Sequence, residues 1–248
     1  MEQTAQLGAN KTGIDMSPID SKEMLEASEN FFIKPEASVA YQIDQFFREG
    51  VEPLGSVPLP GTVKGVLKSA LKIATGRHPE VLINKLGERL AYERTGVRIY
   101  EHLITKCINS TPDKMTEMKI PVERLTEFRN QESQHFHLLI KSIKSLGADP
   151  TAQTPDADAS GVASAGFIKV IADPRTSVSQ SLQAMLAVEL ADKAAWELLI
   201  RLAEDMGLSE MATDFKQALH QEDTHLVQVK EWYEQSIRSQ AGVSVSPN

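Results

Sequence analysis

The chain has 248 residues, 41% of them hydrophobic, and a formal net charge of −8. This size allows one medium-sized domain with an extension, and the negative charge argues against nucleic acid as the main partner. Because Cys107 is the single cysteine, disulfides, Cys-x-x-Cys redox motifs and an iron site with four cysteine ligands are excluded within one chain. The N-terminus lacks an apolar signal region and the sequence lacks a run of about 18 apolar residues, so we expect a cytoplasmic protein.

Residues 1–30 are polar and show no hydrophobic period, and we expect them to form a largely disordered tail. We interpret residues 31–80 as a helical extension. Residues 36–49 predict a short helix within it, and a proline-rich linker follows over residues 53–60.

Residues 62–75 predict an amphipathic helix with one apolar side and one side that carries Lys64, Lys68 and Lys72. A helix of this kind can contact a membrane surface or an anionic partner. It can also pack on the rest of the domain with its lysines in water. We favour packing, because three lysines on a helix face are ordinary.

Residues 81–240 predict an all-α bundle. Apolar residues recur there at intervals of three and four, which indicates four long amphipathic helices. We place them at about residues 79–109 (helix A), 121–147 (helix B), 177–206 (helix C) and 209–239 (helix D). Residues 241–248 follow as a tail.

Residues 148–176, between helices B and C, are rich in small and polar residues and predict a long connection without regular structure. Such connections are uncommon in a compact domain. A crossover explains this one, because parallel helices B and C would require the chain to travel the length of the bundle between them. We expect residues 167–171 to pack against the bundle on the way.

Two Glu-x-x-His motifs point to the chemistry of the chain. Glu132 and His135 stand in helix B, and Glu222 and His225 stand in helix D. Residues three apart on a helix lie on one face, so the two side chains of each motif can reach a single metal ion. One such motif is weak evidence, and its recurrence in the second half gives it weight.

Each motif is preceded by a lone glutamate on an earlier helix. Glu93 lies on the apolar seam of helix A and Glu189 on that of helix C, and an aromatic residue, Tyr100 or Trp196, follows about two turns later. Each half of the chain therefore offers one glutamate, one aromatic residue and one Glu-x-x-His motif. This is the ligand set of di-iron carboxylate four-helix bundles.

Four glutamates on apolar seams would suffer desolvation and mutual repulsion if they stayed unpaired. Two divalent ions would cancel their formal charge, and mixed oxygen and nitrogen ligands suit iron or manganese. A metal-free core of hydrogen-bonded Glu and His side chains is the alternative. The match between the two halves of the chain makes that alternative the weaker interpretation.

Residues 81–240 resemble the ferritin-like di-iron carboxylate superfamily. Six residues match its ligand pattern in order: Glu93, Glu132-x-x-His135, Glu189 and Glu222-x-x-His225. The resemblance implies a ferritin-like antiparallel four-helix bundle with a long B–C crossover, here with an N-terminal extension. It also implies that these six residues are the metal ligands and that the cofactor is two iron ions, with manganese or a mixed Mn/Fe pair left open.

Asp192, three positions after Glu189, makes the chain resemble rubrerythrin-like members of the superfamily. These members carry a second acidic residue at that place, which acts as an additional, redox-dependent ligand. Asp192 is one methylene shorter than glutamate. Two other roles therefore stay open, namely accepting a hydrogen bond from His135 or His225 and a plain surface position.

Tyr100 matches the tyrosine that the superfamily often places after its first glutamate, where it can relay electrons. Trp196 holds the equivalent position in the second half, and core filling is the alternative role for both aromatics. Gly96, in the middle of helix A, costs about 1 kcal/mol relative to alanine. It leaves room for a small molecule beside the site or for close helix packing, and we favour packing.

The resemblance favours a non-haem di-iron oxidoreductase of the rubrerythrin-like kind, without a rubredoxin domain, that reacts with peroxide or O2. Its electrons would come from an external donor or from substrate. Four other functions stay open: a ferroxidase or other iron-handling protein, a di-iron oxygenase acting on a small organic substrate in a pocket near Gly96, a di-manganese catalase-like protein, and a metal-stabilised interaction module that uses residues 64–72. A homodimer also stays open.

Overall fold

The computed structural model describes residues 17–29, 38–48, 51–58, 78–110 and 120–243. Every regular element in these ranges is an α-helix, which confirms the all-α prediction. The helices are α1 (Pro18–Glu29), α2 (Val39–Arg48), α3 (Pro79–Asn109), α4 (Val122–Ser145), α5 (Pro155–Ala172), α6 (Val178–Asp205) and α7 (Ser209–Gln240). The predicted lysine-bearing segment 62–75 lies outside the described residues.

The chain divides into two compact units, with a boundary between Leu54 and Gly55. In the smaller unit, α2 confirms the helix predicted over residues 36–49, and none of its residues is buried. In the described ranges of both units, no helix combines the length and the apolar character that crossing a membrane would need.

Helix α1 contradicts the expected disorder of residues 1–30 over the part that the structure describes. Pro18 occupies the first turn of α1, where its fixed φ angle and missing N–H are tolerated. Lys22 and Glu26 then form an ion pair at 3.8 Å, one turn apart. Helix-forming residues and local pairs define α1 instead of an apolar period, so a search for periodicity does not detect it.

The four long helices of the larger unit coincide with the predicted helices A to D to within two residues at each end. Helix α6 begins with a capping box, in which Ser177 and Gln180 exchange side-chain and backbone hydrogen bonds. Gly147 and Gly207 follow α4 and α6 with φ angles of 83° and 72°. These left-handed conformations end both helices at a position that favours glycine.

Side-chain pairs between the helices show their directions. Along α4 and α7, Gln131 bonds to His225, whereas Lys141 bonds to Asp214, so these two helices are antiparallel. Along α6 and α7, the pairs Lys193–Asp223 and Glu204–Lys216 show the same antiparallel arrangement. Helices α4 and α6 therefore run in the same direction, and the chain between them must return along their length.

This return is helical, which corrects the expectation that residues 148–176 lack regular structure. Helix α5 runs beside α3 in the same direction: Asn84 accepts a hydrogen bond from the backbone of Asp156 at its start, and Lys106 donates to the carbonyl oxygens of Asp173 and Thr176 beyond its end. The two glycines and two serines of α5 lower its intrinsic helix propensity, and its packing against α3 contributes to its stability. Residues 167–171 pack as expected, with Ile171 fully buried.

The apolar core of the larger unit falls into two clusters, one on each side of the predicted metal-binding level. Helix α3 contributes Leu82, Leu86 and Leu90 to one cluster, and Ile99, Tyr100 and Leu103 to the other. Glu93 lies between them on the same helix. Burying each large apolar side chain contributes about 1.5–3 kcal/mol, so the two clusters offset the cost of a polar layer in the middle.

Gly87 permits the close approach of α5 to α3. A Cβ atom at Gly87 would lie 2.5 Å from Oγ1 and 3.1 Å from Cγ2 of Thr154, which is buried at the start of α5. We expect Gly87→Ala to lower the free energy of unfolding by about 1–3 kcal/mol, because a stiff β-branched neighbour must move to admit the methyl group. Urea unfolding followed by circular dichroism measures the change.

Gly166→Ala is the matched control. Gly166 is also helical, but nothing lies within 4 Å of a Cβ built there. We expect this control to raise the free energy of unfolding by about 0.5–1 kcal/mol through helix propensity alone. Equal gains for the two variants would contradict a tight contact at Gly87.

Candidate metal centre

The six predicted metal ligands meet in the middle of the larger unit, and none of them is more than 2% exposed. They form two overlapping groups whose ligand atoms lie within 4.8 Å of one another. The groups are Glu93, Glu132, His135 and Glu222, and Glu132, Glu189, Glu222 and His225. Glu132 and Glu222 belong to both groups, so each of these carboxylates could contribute a ligand atom to either group.

Each histidine turns its Nδ1 atom towards glutamates of both halves of the chain. Nδ1 of His135 lies 2.7 Å from Oε1 of Glu222 and 3.7 Å from Oε2 of Glu93. Nδ1 of His225 lies 3.2 Å from Oε1 of Glu132, 3.2 Å from Oε2 of Glu222 and 3.8 Å from Oε2 of Glu189. Both imidazoles therefore contact the Glu222 carboxylate, and their ring centroids lie 6.4 Å apart.

A glutamine contacts the Nε2 atom of each imidazole. The glutamine of α4 contacts the histidine of α7, and the glutamine of α7 contacts the histidine of α4. Nε2 of His225 lies 2.7 Å from Oε1 of Gln131, and Nε2 of His135 lies 2.8 Å from Oε1 of Gln221. An amide oxygen accepts a hydrogen bond from a protonated Nε2. This contact orients each ring and leaves Nδ1 as the nitrogen that a metal ion would take.

Eight buried atoms of the six residues make no hydrogen bond of ordinary geometry within the described residues, although most of them lie within ion-pair distance of a neighbouring side chain. They are both carboxylate oxygens of Glu93 and of Glu222, Oε2 of Glu132 and of Glu189, and Nδ1 of both histidines. An unsatisfied buried polar atom costs about 1–3 kcal/mol, so such a concentration needs a compensating group. Four carboxylates and two imidazole nitrogens fit a pair of divalent ions such as iron or manganese.

The electrostatics of the site disfavour the ionisation of its buried carboxylates. Burial raises the pKa of Glu132 and of Glu189 well above the ordinary value, and the neighbouring carboxylates raise both further. Burial would raise the pKa of Glu222 as well, but its contacts with His135 and His225 lower it to about 2. Burial would lower the pKa of His135, yet Glu222 and Glu93 raise it to about 11. Metal cations would stabilise the carboxylates without these protons.

Gly96 makes room for one of the shared carboxylates. A Cβ atom on Gly96 would collide with Oε2 of Glu132 and lie 3.1 Å from its Cδ atom. The glycine therefore serves close packing, and what packs against it is the side chain of Glu132. Of the two expectations for Gly96, the packing interpretation agrees with this contact.

Asp192 is buried next to Arg89 and belongs to neither ligand group. Its Oδ1 atom lies 3.4 Å from Nη1 of Arg89, whose Nε atom lies 3.2 Å from Oε1 of Glu93. The surface position considered for Asp192 is therefore wrong. The glutamines take the histidine Nε2 atoms, so the hydrogen bond from His135 or His225 to Asp192 is not formed either. Metal ligation by Asp192 stays a prediction.

Both predicted aromatics contact the site. The hydroxyl of Tyr100 donates a hydrogen bond of 2.6 Å to Oε1 of Glu189, and its ring packs edge-on against His225 with centroids 5.9 Å apart. Trp196 packs in the same manner against His135, with centroids 5.6 Å apart. Their equivalent places follow the repeat of the sequence, and the electron-relay role of Tyr100 stays a prediction.

Three residues that contact the predicted ligands were not predicted from the sequence: Arg89, Gln131 and Gln221. Arg89 precedes Glu93 by one helical turn, so it shares that face and could have been found by asking what neutralises the glutamate. The two glutamines stand immediately before the glutamate of each Glu-x-x-His motif. Their recurrence was visible in the sequence, but only the fold shows that each serves the histidine of the other motif.

Comparison of the chain with protein-family models, curated proteins and solved structures finds no match.

The reciprocal glutamines predict an effect on metal affinity. Gln131→Leu removes the acceptor for His225, and we expect the affinity for Mn²⁺ to fall about 10–100-fold, because the ring loses its orientation. Gln131→Glu keeps an acceptor at the same place and should retain affinity. Isothermal titration calorimetry measures both, with Gln134→Leu, an exposed position on the same helix, as the control. Equal affinities for all three variants would contradict the orienting role.

Gly96→Ala should separate metal binding from folding. The new methyl group displaces the Glu132 carboxylate, and because that side chain can rotate away, we expect the unfolding free energy of the metal-free protein to change by no more than about 1 kcal/mol. The affinity for Mn²⁺ should fall at least about tenfold. Gly161→Ala, where nothing lies within 4 Å of the added Cβ, is the control. A variant that binds Mn²⁺ as tightly as the wild type would show that the placement of Glu132 is unimportant.

Proposed function

We propose that this chain is a non-haem di-iron carboxylate oxidoreductase of the rubrerythrin-like kind, built on a ferritin-like four-helix bundle, that reacts with peroxide or O2. The observation that supports the proposal most directly is the pair of overlapping four-ligand groups that share Glu132 and Glu222. A dinuclear site needs ligands common to both ions. An arrangement for one ion would not require two four-residue groups, each with a histidine of its own.

Two bound ferrous ions would supply the two electrons that reduce one peroxide molecule, with two protons, to two water molecules. The chain supplies the surroundings that this chemistry needs. Apolar clusters on both sides of the carboxylate layer keep bulk water away from it. The buried hydroxyl of Tyr100 holds a proton at Oε1 of Glu189, where it orients that carboxylate.

Reduction of the centre must draw on another molecule. Cys107 is the single cysteine, so the chain carries no rubredoxin-type iron site of its own. We propose an external electron-donor protein, with Tyr100 as the residue through which an electron reaches the Glu189 side of the site. Its contacts with Glu189 and His225 support this role.

The single cysteine, which leaves this chain without a rubredoxin-type iron site, favours one second candidate, a di-manganese catalase-like protein. Disproportionation of peroxide needs no external reductant, because one peroxide molecule reduces what the other oxidises. Four carboxylates and two imidazoles suit manganese as well as iron.

Anaerobic loading with Fe²⁺ followed by rapid mixing with H2O2 or O2 tests the proposal. We expect two ferrous ions per chain and their oxidation with one H2O2 consumed per pair, followed by the ferric absorbance in a stopped-flow instrument. Glu132→Gln should slow this oxidation at least about tenfold, because it removes a shared carboxylate. Glu123→Gln, an exposed position on the same helix, should leave it unchanged.

Two iron ions that stay ferrous in the presence of both oxidants would contradict the proposal. Steady O2 release from H2O2 by the manganese-loaded protein, without any reductant, would favour the catalase-like function over the iron-dependent one.

A further inference from the structure

The two halves of the chain repeat the ligands but not the residues around them. One helical turn before Glu93 stands Arg89, whereas Met185 holds the corresponding place before Glu189. Asp192, the partner of Arg89, follows Glu189 by three residues, where Gly96 follows Glu93. The buried Arg89–Asp192 pair therefore lies on one side of the site only.

The Arg89 side chain is buried and packs against an aromatic ring. The side chain is 2% exposed, and its guanidinium lies 4.0 Å from the centroid of the Tyr92 ring. The hydroxyl of Tyr92 donates to the backbone carbonyl of Val188 at 3.0 Å, which fixes the ring between α3 and α6. A guanidinium stays protonated in proteins, so this is a permanent positive charge next to Glu93.

The two outer glutamates consequently meet different partners. Oε1 of Glu93 lies 3.2 Å from the charged Nε atom of Arg89. Oε1 of Glu189 instead accepts a hydrogen bond from the neutral hydroxyl of Tyr100 at 2.6 Å. Asp192 contacts Nη1, the other end of the guanidinium, so the positive end of the pair faces Glu93.

We infer that the two metal positions are unequal: the position of Glu189 and His225 binds the first divalent cation, the position of Glu93 and His135 binds the second more weakly, and Arg89 sets the difference. This inference rests on the proposed dinuclear centre. The charge of Arg89 lies 3.2 Å from an oxygen of Glu93 and repels a cation placed beside that glutamate. Within the part of the chain that the structure describes, no positively charged side chain forms a comparable contact with Glu189. Arg89 therefore acts as a positioning residue.

Titration of the metal-free protein with Mn²⁺ tests the inference, with calorimetry to resolve the steps and electron paramagnetic resonance to distinguish isolated from coupled ions. We expect two steps whose dissociation constants differ at least about tenfold. His225→Ala should remove the tighter step, and His135→Ala should remove the weaker one.

The double variant Arg89→Met/Asp192→Asn removes the charged pair without leaving a lone buried charge. We expect the dissociation constants of its two Mn²⁺ binding steps to become nearly equal. Asp192→Asn alone leaves Arg89 without its counter-charge, and it should weaken the second step further. Arg94→Met, at an exposed position of α3, is the control and should change neither step.

Two equal steps in the wild type would overturn the inference, as would an unchanged separation in the double variant or loss of the tighter step in His135→Ala. Each of these results leaves a dinuclear centre and its reaction with peroxide or O2 intact. A protein that binds no Mn²⁺ or Fe²⁺ would overturn both the inference and the proposed function, whereas two unequal ions without any reaction would overturn the function alone.

Discussion

Four glutamate carboxylates lie buried within a few ångströms of one another, and their mutual repulsion is the constraint that the larger unit of the chain must meet. Desolvation and like charge both oppose ionisation there. The neighbouring histidines compensate in part, as the low pKa of Glu222 shows. Two divalent cations would meet the constraint more completely, because they neutralise four formal charges and take up ligand atoms that make no hydrogen bond of ordinary geometry within the described residues.

The surroundings of the site follow from this constraint. Two apolar clusters hold the helices together above and below the carboxylate layer, so the layer itself need not contribute to stability. Gly96 leaves the space that the Glu132 carboxylate occupies. Gln131 and Gln221 contact the Nε2 atoms of the two imidazoles and orient the rings. Helix α5 covers the flank of α3, which explains why α3 is buried on a broader face than the seam of Glu93 alone.

The long helices and the ligand positions could be predicted because both depend on local spacing. A period near 3.6 residues places apolar side chains on one face, and Glu-x-x-His places two ligands one turn apart. Helix α5 could not be predicted in this way, since its alanines, glycines and serines show no apolar stripe and its order depends on contacts with α3. The sharing of Glu132 and Glu222 between two groups, and the exchange of glutamines between the motifs, depend on how α4 and α7 lie against each other. The spacing of Arg89 and Glu93 on α3 was visible in the sequence, whereas the pairing of Arg89 with Asp192 depends on how α3 and α6 lie against each other.

Anomalous diffraction from crystals of the protein purified without added metal, recorded on both sides of the iron and manganese absorption edges, tests most directly whether the buried carboxylates hold two metal ions. We expect two anomalous peaks per chain near the carboxylates of Glu132 and Glu222, one beside Nδ1 of His135 and one beside Nδ1 of His225. Peaks confined to the protein surface, with the interior glutamates hydrogen-bonded to one another, would contradict it.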